Sequence, residues 1–311
     1  MKRPERDLCC WFVGVSTEGS VAVAAFPDWL SALGLAGGLE TIDLPLDSPG
    51  EAYRRLVERL RKRPDVRGMV VTAHKARLFE EAAAELDDLD EMARLCREIS
   101  VVRRVGDRLV GAAVEPQSVA GALAEIVSPS HWAETGGRLL AFGAGATTTA
   151  LMVHLYGPAD DTDAPSVVGL VDVRAERAAA LRDALERWRP GLRVLTPTPV
   201  EAIAVLRELP RGSLVVNGTG LGKDRPGSPL PSPAPWSRGA LVWDLNYRGE
   251  LGFLEDARRA AEELDLRVHD GWSLFLHGWS EALGCLLGRR LTAAELTALE
   301  RDAQRARASR P

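Results

Sequence analysis

The feature that most constrains this chain lies between residues 139 and 172. Leu139–Phe142 reads as a short buried strand, Gly143-Ala144-Gly145-Ala146-Thr147-Thr148 as a tight turn, and residues 149–155 as a helix leaving that turn. A second apolar run, Val167–Val171, ends on Asp172. Strand, glycine turn, helix, strand and acid follow in the order of a dinucleotide-binding unit. Glycines let the backbone approach a pyrophosphate, and the helix N-terminus offers free N–H groups and a positive dipole end to its charge. The terminal acid can accept hydrogen bonds from a pair of ribose hydroxyls. Thr148 stands where a third glycine or an alanine is usual, which predicts looser packing of helix on strand. A glycine pair alone also joins strands to helices without any ligand, so the order of elements and the distal acid carry the reading.

Composition narrows the class. A chain of 311 residues favours two domains with sizeable cores. Its 46% hydrophobic and 27% charged residues are those of a soluble globular protein. The net charge is -5 with acids and bases interspersed, which leaves no basic face for nucleic acid or a membrane surface. Cys9, Cys10, Cys96 and Cys285 lack a metal-ligand spacing, and the adjacent pair suits one buried strand better than a disulfide. Met1-Lys2-Arg3 ahead of the apolar run 8–15 imitates a signal peptide, but Glu5 and Asp7 precede the run and no small-residue cleavage pattern follows. No span approaches transmembrane length. The expectation is a cytoplasmic monomer or homodimer acting on a small-molecule substrate, with no metal, nucleic-acid or membrane partner.

Around the central unit the chain alternates strand and helix, as an α/β protein should. Residues 8–15 predict a strand, 22–35 a helix and 41–44 a second strand. Ser48-Pro49-Gly50-Glu51 reads as a capping sequence for a helix over 52–62, with Tyr53, Leu56 and Leu60 on one face. Residues 66–72 predict a strand, 78–86 and 89–98 helices, and 101–104 with 108–113 a hairpin turning at Gly106-Asp107. The acidic run 86–91 reads as a helix N-terminus. A helix from Ser118 leads into the nucleotide unit. Beyond it come helix 174–187, strand 193–195, helix 200–209 and strand 213–216, which ends on the loop Asn217-Gly218-Thr219-Gly220-Leu221-Gly222. Ligands of open parallel sheets sit beyond the carboxyl ends of strands, so this loop should face the same cofactor. A proline-rich loop over 227–235, strand 240–245, a last short strand at Val268-His269-Asp270, helix 273–287 and a capping box at Thr292-Ala293-Ala294-Glu295 complete the chain.

Five stretches in order resemble the shikimate dehydrogenase family, which includes quinate dehydrogenases. Val71-Thr72-Ala73-His74-Lys75 is similar to the family's Asn-Val-Thr-x-Pro-x-Lys, and residues 106–115 to its Gly-x-Leu-x-Gly-x-Asn-Thr-Asp. The loop 217–222 with Pro229-Leu230-Pro231 resembles Asn-Ala-Thr-Pro-x-Gly, Asp244-Leu245-Asn246-Tyr247 resembles Asp-x-x-Tyr, and Gly271 opens the closing helix. The resemblance implies two α/β domains with a cleft between them. Residues 1–116 with 272–311 would bind substrate, and 117–271 would form a Rossmann-type NAD(P)-binding domain. It implies Lys75 and Glu115 as the catalytic pair, with Ser20, Thr72, Tyr247 and His277 beside Lys75 at the substrate. It places the cofactor on Gly143, Ala144, Gly145, Ala146 and Thr147, on Asp172, Val173 and Arg174, on Asn217, Thr219, Gly220 and Leu221, and on Gly271. A lysine held by a carboxylate can move the proton that must accompany hydride transfer at an alcohol carbon. The alternative is that Lys75 and Glu115 make a surface ion pair, or do not meet.

The departures from the family pattern bear on substrate. The Ser-x-Ser that holds a carboxylate becomes Ser20-Val21-Ala22, and the Asn of the first hairpin strand falls near Val101 or Val102. Asn and Thr before the acid become Ala113 and Val114, the acid becomes the longer Glu115, and the Gln of the closing helix falls at Gly278, or at His277 with a gap. A polyol needs buried hydrogen-bond partners, so the expected substrate is a modified cyclohexene or cyclohexane carboxylate, or a less polar carbonyl. His74 is expected either to help position substrate or to be solvated, and His277, Trp272 and Trp279 to pack the closing helix. In NADP-using relatives an arginine grips the 2′-phosphate where Val173 stands, so NAD is the expected cofactor, with NADP open through Arg174. Two other readings stand beside this one: a catalytically silent relative that binds a nucleotide or metabolite as a sensor or partner subunit, and a folate-type dehydrogenase.

Overall fold

The computed structural model describes residues 7–157, 163–223 and 225–309. Met1-Lys2-Arg3 and Glu5, weighed above as the start of a leader, lie outside them. The chain divides into two compact units, Met1–Glu115 with Leu276–Pro311, and Pro116–Phe275.

The first unit grows from β1 (Asp7–Gly14), whose residues Cys10–Val13 are buried because strands flank it on both sides. After α1 (Val21–Ala32), β2 (Ala36–Asp43) pairs with β1 in parallel along its whole length. The sequence pattern predicts α1 as far as residue 35 and β2 only from Thr41. The glycines explain the difference: Gly34 is left-handed at φ 66° and stops the helix, and Gly37, at φ 141°, lies so close to Leu8 O that no Cβ fits. Next come α2 (Gly50–Arg61), β3 (Gly68–Val71), α3 (Lys75–Ala82), β4 (Asp88–Leu89), α4 (Glu91–Cys96), β5 (Val101–Val105) and β6 (Arg108–Ala112). The six strands order as β2-β1-β3-β5-β6-β4, parallel on the β1 side and antiparallel through the β5–β6 hairpin. Tyr53, Leu56, Val57 and Leu60 of α2 pack on this sheet with Trp11, Val13, Met69 and Val71. Ser48 does not cap α2. Its hydroxyl donates to Pro45 O instead, and Pro49 is the N-cap without a side-chain bond. The acidic run divides similarly: Asp90 caps α4 through Ala93 N, while Asp87 and Asp88 pair with Arg61 and Arg94.

The second unit holds α5 (Glu115–Ala124, entered from the first unit), α6 (His131–Thr135), β7 (Leu139–Phe142), α7 (Ala146–Tyr156), β8 (Val167–Val171), α8 (Ala175–Trp188) and β9 (Arg193–Leu195). It continues with α9 (Glu201–Arg207), β10 (Leu214–Asn217), β11 (Leu241–Asp244), α10 (Gly252–Leu264) and β12 (Arg267–His269). All strand pairs are parallel, in the order β12-β11-β10-β7-β8-β9. Numbered within the unit, that is 3-2-1-4-5-6 read from the other edge, the order of a Rossmann-type sheet with its switch point between β7 and β10. Both faces are covered, so β7, β10 and β11 are buried at every position. The loop over 227–235 is pinned rather than loose: Asp256 of α10 accepts bonds from Ser232 Oγ, Ala234 N and Trp236 Nε1. No capping signal in the sequence marks α10, whose start at Leu251 has left-handed backbone and no side-chain cap.

The chain closes with α11 (Trp272–Leu287) and α12 (Ala293–Ala308). Trp279 packs among Phe12, Phe26 and Trp29, and Trp29 Nε1 donates to Leu299 O, which ties both helices to the first unit's sheet. The capping box at Thr292 and Glu295 forms as its spacing predicts. Among the described residues no helix is long and apolar enough to cross a membrane.

Candidate active site

Two constellations stand out, one in each unit. In the first unit Lys75 opens α3 and Glu115 opens α5, and their side chains form an ion pair, with exposures of only 13% and 11%. The surface-pair alternative is therefore excluded. The approach of the two residues is built by their neighbours. His74, just before Lys75, is 1% exposed and fixed at both ring nitrogens, by Leu44 O at 2.9 Å and Tyr53 Oη at 2.8 Å. A carbonyl only accepts, so Nε2 carries the proton and Nδ1 accepts from Tyr53. Burial lowers the pKa of His74, which agrees with a neutral ring. His74 is thus neither solvated nor poised on a ligand; it anchors the turn from which Lys75 projects.

Glu115 is placed by two side chains that no local sequence pattern marks. Asp90 Oδ1 accepts from Ala113 N at 3.3 Å, and Ser100 Oγ accepts from Val114 N at 2.8 Å. The two amides before Glu115 are therefore held, and the helix starts at a fixed point. Thr72 donates to Val13 O at 3.3 Å, and Ser20 caps α1 through Ala22 N, so both expected substrate hydroxyls have local structural work. His277 is half-buried on α11.

A second carboxyl lies in this corner. The sequence pattern predicts a helix through Glu98, but α4 ends at Cys96, and Arg97 takes a left-handed conformation at φ 53°. That reversal carries Glu98 inward, to 0% exposure. Burial, reinforced by Glu115 and Asp90 and opposed by Lys75, pushes its carboxyl up to about 8. Burial pulls the Lys75 ammonium the other way, but Glu115 and Glu98 together outweigh it and the net direction is upward. No pattern in the sequence marks Glu98. The chain reversal at a non-glycine residue creates its position.

In the second unit the turn after β7 lies against the loop after β10, because the strands are neighbours in register with Phe142 opposite Asn217. Gly143 has φ 89°, and a Cβ there would stand 2.7 Å from the Gly218 backbone, so only glycine fits. A Cβ on Gly145 would meet nothing within 4 Å, which leaves the approach to α7 open. Gly145 caps α7 without a side-chain bond, so Ala146 and Thr147 begin a helix whose N-terminus has no side-chain anion of its own. Asp172 Oδ2 accepts from Ala144 N at 2.8 Å and Oδ1 from Arg174 N at 2.9 Å. Each oxygen keeps a lone pair for a hydroxyl. Val173 is 90% exposed and Arg174 is exposed at the N-cap of α8. These residues fit a dinucleotide: a glycine cradle, an open helix end and an acid at the second strand.

The loop after β10 is shaped by its own side chains. Asn217 Oδ1 accepts from Thr219 N and Thr219 Oγ1, and Thr219 Oγ1 accepts from Leu221 N. Gly220 turns the loop at φ 73°. Asp244 accepts from Asn217 Nδ2 and Asn246 N, and burial raises its carboxyl to about 6. Asn217 and Thr219 therefore shape their own loop, and Gly218 N donates to Phe142 O at 2.7 Å. Gly271 packs against Leu245 O too closely for a Cβ. Tyr247 sits in an aromatic cluster with Trp272 and Phe275, the last two stacked at 5.1 Å.

No family model matches the chain. It is similar to the shikimate dehydrogenase (NADP(+)) of Streptococcus gordonii, at 28% identity over 219 residues that cover 70% of this chain and 72% of the relative. Shikimate 5-dehydrogenase of Thermus thermophilus, solved in complex with shikimate, superposes with a TM-score of 0.69 at 25% identity, over 96% of this chain and 98% of the other. Quinate dehydrogenase of Corynebacterium glutamicum in complex with NAD has the same fold, with a TM-score of 0.75 at 17% identity over 96% and 99%.

Proposed function

We propose that this chain, which belongs to the shikimate and quinate dehydrogenase family, uses Lys75 and Glu115 to interconvert an alcohol and a ketone with a nicotinamide dinucleotide. The buried Lys75–Glu115 ion pair is the observation that carries the reading. When bound, the nicotinamide supplies the two-electron chemistry as hydride acceptor or donor. As the ketone is reduced, the Lys75 ammonium gives its proton to the carbonyl oxygen, and in the reverse direction the neutral amine takes the hydroxyl proton as the carbonyl forms. Glu115 keeps the ammonium in place, and the held amides of Ala113 and Val114 keep Glu115 in place. The first unit is the substrate-binding and catalytic part, and the second binds the dinucleotide along Gly143–Thr147 and Asp172, with Asn217–Leu221 and Gly271 shaping its other wall.

The proposed substrate is a cyclohexene or cyclohexane carboxylate with fewer hydroxyls than shikimate, or a less polar analogue. Ala22, Ala113 and Val114 offer no side-chain hydrogen bonds where the family pattern has Ser, Asn and Thr, and Ser20 serves a helix cap. The proposed cofactor is NAD, on the chemistry of Asp172 and Val173, although the Streptococcus gordonii relative is NADP-dependent by name. Retention of the buried Lys75–Glu115 pair argues against a silent relative.

The test is absorbance of reduced nicotinamide across a panel of cyclic alcohols and ketones, beginning with shikimate and quinate, with cofactor binding titrated separately. Turnover of a member of the panel is the expected result. Cofactor binding with no turnover anywhere in the panel would favour the sensor reading instead.

A further inference from the structure

The family pattern assigns no role to a second carboxyl beside the catalytic lysine, yet this chain seals one there. Glu98 is 0% exposed, and among the described residues neither of its oxygens has a hydrogen-bond partner. Its neighbour Ile99 donates from its amide to Lys75 O at 3.1 Å, which places residue 98 against the first turn of α3. The ionisable groups that face it are Lys75 on α3, Glu115 on α5, Asp90 at the N-cap of α4 and the Cys96 thiol at that helix's end. A buried unpaired carboxyl is destabilising, so its persistence beside one ammonium calls for a reason other than packing.

We propose that Glu98 is a positioning residue for Lys75, a second carboxyl whose charge state sets how firmly the lysine keeps its proton. The proposal rests on Lys75 being the acid–base group of the reaction. With Glu98 neutral, Lys75 answers to Glu115 alone. Once Glu98 ionises, two carboxylates face one ammonium, and proton release to the medium or acceptance from an alcohol moves to higher pH. The direction of both shifts fits: burial holds the Glu98 carboxyl neutral up to about 8, and Glu98 is among the groups that raise Lys75. The cluster therefore retains a charged general acid further into alkaline solution than a lone lysine–carboxylate pair would.

The chain makes a direct test possible, because it has only four lysines, Lys2, Lys62, Lys75 and Lys223. In protein labelled with 13C at lysine Cε, the signal absent from Lys75→Arg identifies Lys75, and its titration is followed by NMR from neutral pH upwards. Glu98→Gln should lower the Lys75 midpoint by about one pH unit. Glu98→Ala should lower it similarly, and Glu98→Asp should retain most of the wild-type value. A midpoint unchanged in both Glu98→Gln and Glu98→Ala overturns the proposal. This readout needs no substrate, so it stands apart from the catalytic reading, which fails separately if Lys75→Ala keeps its turnover.

Melting curves provide the control for a merely structural role. A carboxyl raised in the folded state favours folding below its unfolded value near 4.5, and that contribution is lost as pH rises through about 8. Relative to wild type, Glu98→Ala should therefore gain about 3 °C in melting temperature between pH 5 and pH 9. A melting difference that does not move in favour of Glu98→Ala between pH 5 and pH 9 would contradict the buried, raised carboxyl, and with it the proposal.

Discussion

The glycine turn of the second unit and the Lys75 corner of the first solve opposite problems. The turn is made of backbone: Gly143 at φ 89°, the open space at Gly145 and the uncapped start of α7. Asp172 adds a side chain there, one that accepts from two amides. The corner is made of side chains from three separate segments, Lys75, Glu98 and Glu115, each placed by a neighbour that touches no ligand in the reading given above. A backbone site resists most substitutions except at its glycines, whereas a side-chain site depends on its individual members. Variants on the two sides should therefore separate binding from chemistry.

The largest separation is expected from Lys75→Ala. Removing the general acid–base should lower kcat by about a thousandfold, while the cofactor Kd, titrated with the same protein, stays within about twofold because the turn is untouched. Most of kcat surviving in this variant would remove Lys75 from the mechanism. Gly143→Ala is the converse. Its Cβ meets the Gly218 backbone at 2.7 Å in a conformation that disfavours L residues, so the turn must shift, at a cost of about 1–3 kcal/mol. Cofactor Kd should rise about thirtyfold, with kcat at saturation far less affected. An unchanged Kd would mean that the turn does not approach the cofactor.

The same contrast explains what the sequence made legible. The turn, its helix, β8 and Asp172 are consecutive, and glycine identity itself encodes the close approach, so the nucleotide unit could be read directly. The family pattern then placed Lys75 and Glu115, and Asn217 to Leu221, in the order of the chain. What stayed hidden depended on tertiary placement. Ser48 carried a capping signal but turned back to Pro45, and His74 gave no sign that Tyr53 and Leu44 would enclose it. The pattern predicts a helix through Glu98 because nothing in a run of ordinary residues announces that Arg97 adopts φ 53°. Ser100 and Asp90 act on backbone amides more than ten residues away, which no local pattern reveals.

A smaller effect tests how finely the corner is set. Glu115→Asp restores the residue of the family pattern but shortens the carboxylate by one methylene, about 1.5 Å. The helix start that carries it is fixed by Ser100 and Asp90, so the backbone cannot follow, and the ion pair to Lys75 must lengthen. The expected result is about a tenfold fall in kcat/KM on this enzyme's own substrate, with cofactor Kd unchanged. Equal or better kcat/KM would show that the extra methylene is incidental.

The smallest expected effect concerns the carboxylate bonded to the glycine turn. Asp172 accepts from Ala144 N and Arg174 N, so its charge sits between the glycine turn and the start of α8, where an adenosine ribose would lie. A 2′-phosphate at about 6 Å from that carboxylate meets a repulsion of about 1 kcal/mol in water, roughly fivefold in affinity, and added salt should shrink it. Wild-type protein titrated at one ionic strength should thus bind NAD more tightly than NADP. Asp172→Asn gives up one of the two accepting oxygens, so the turn loosens and both cofactors should weaken. Their ratio, not either Kd, isolates the charge, and it should move towards NADP by about fivefold. NADP bound as tightly as NAD by the wild type would sink the assignment and make Arg174 the reader of the phosphate. Arg174→Ala would then weaken NADP alone, and the backbone site would prove to use a side chain of its own after all.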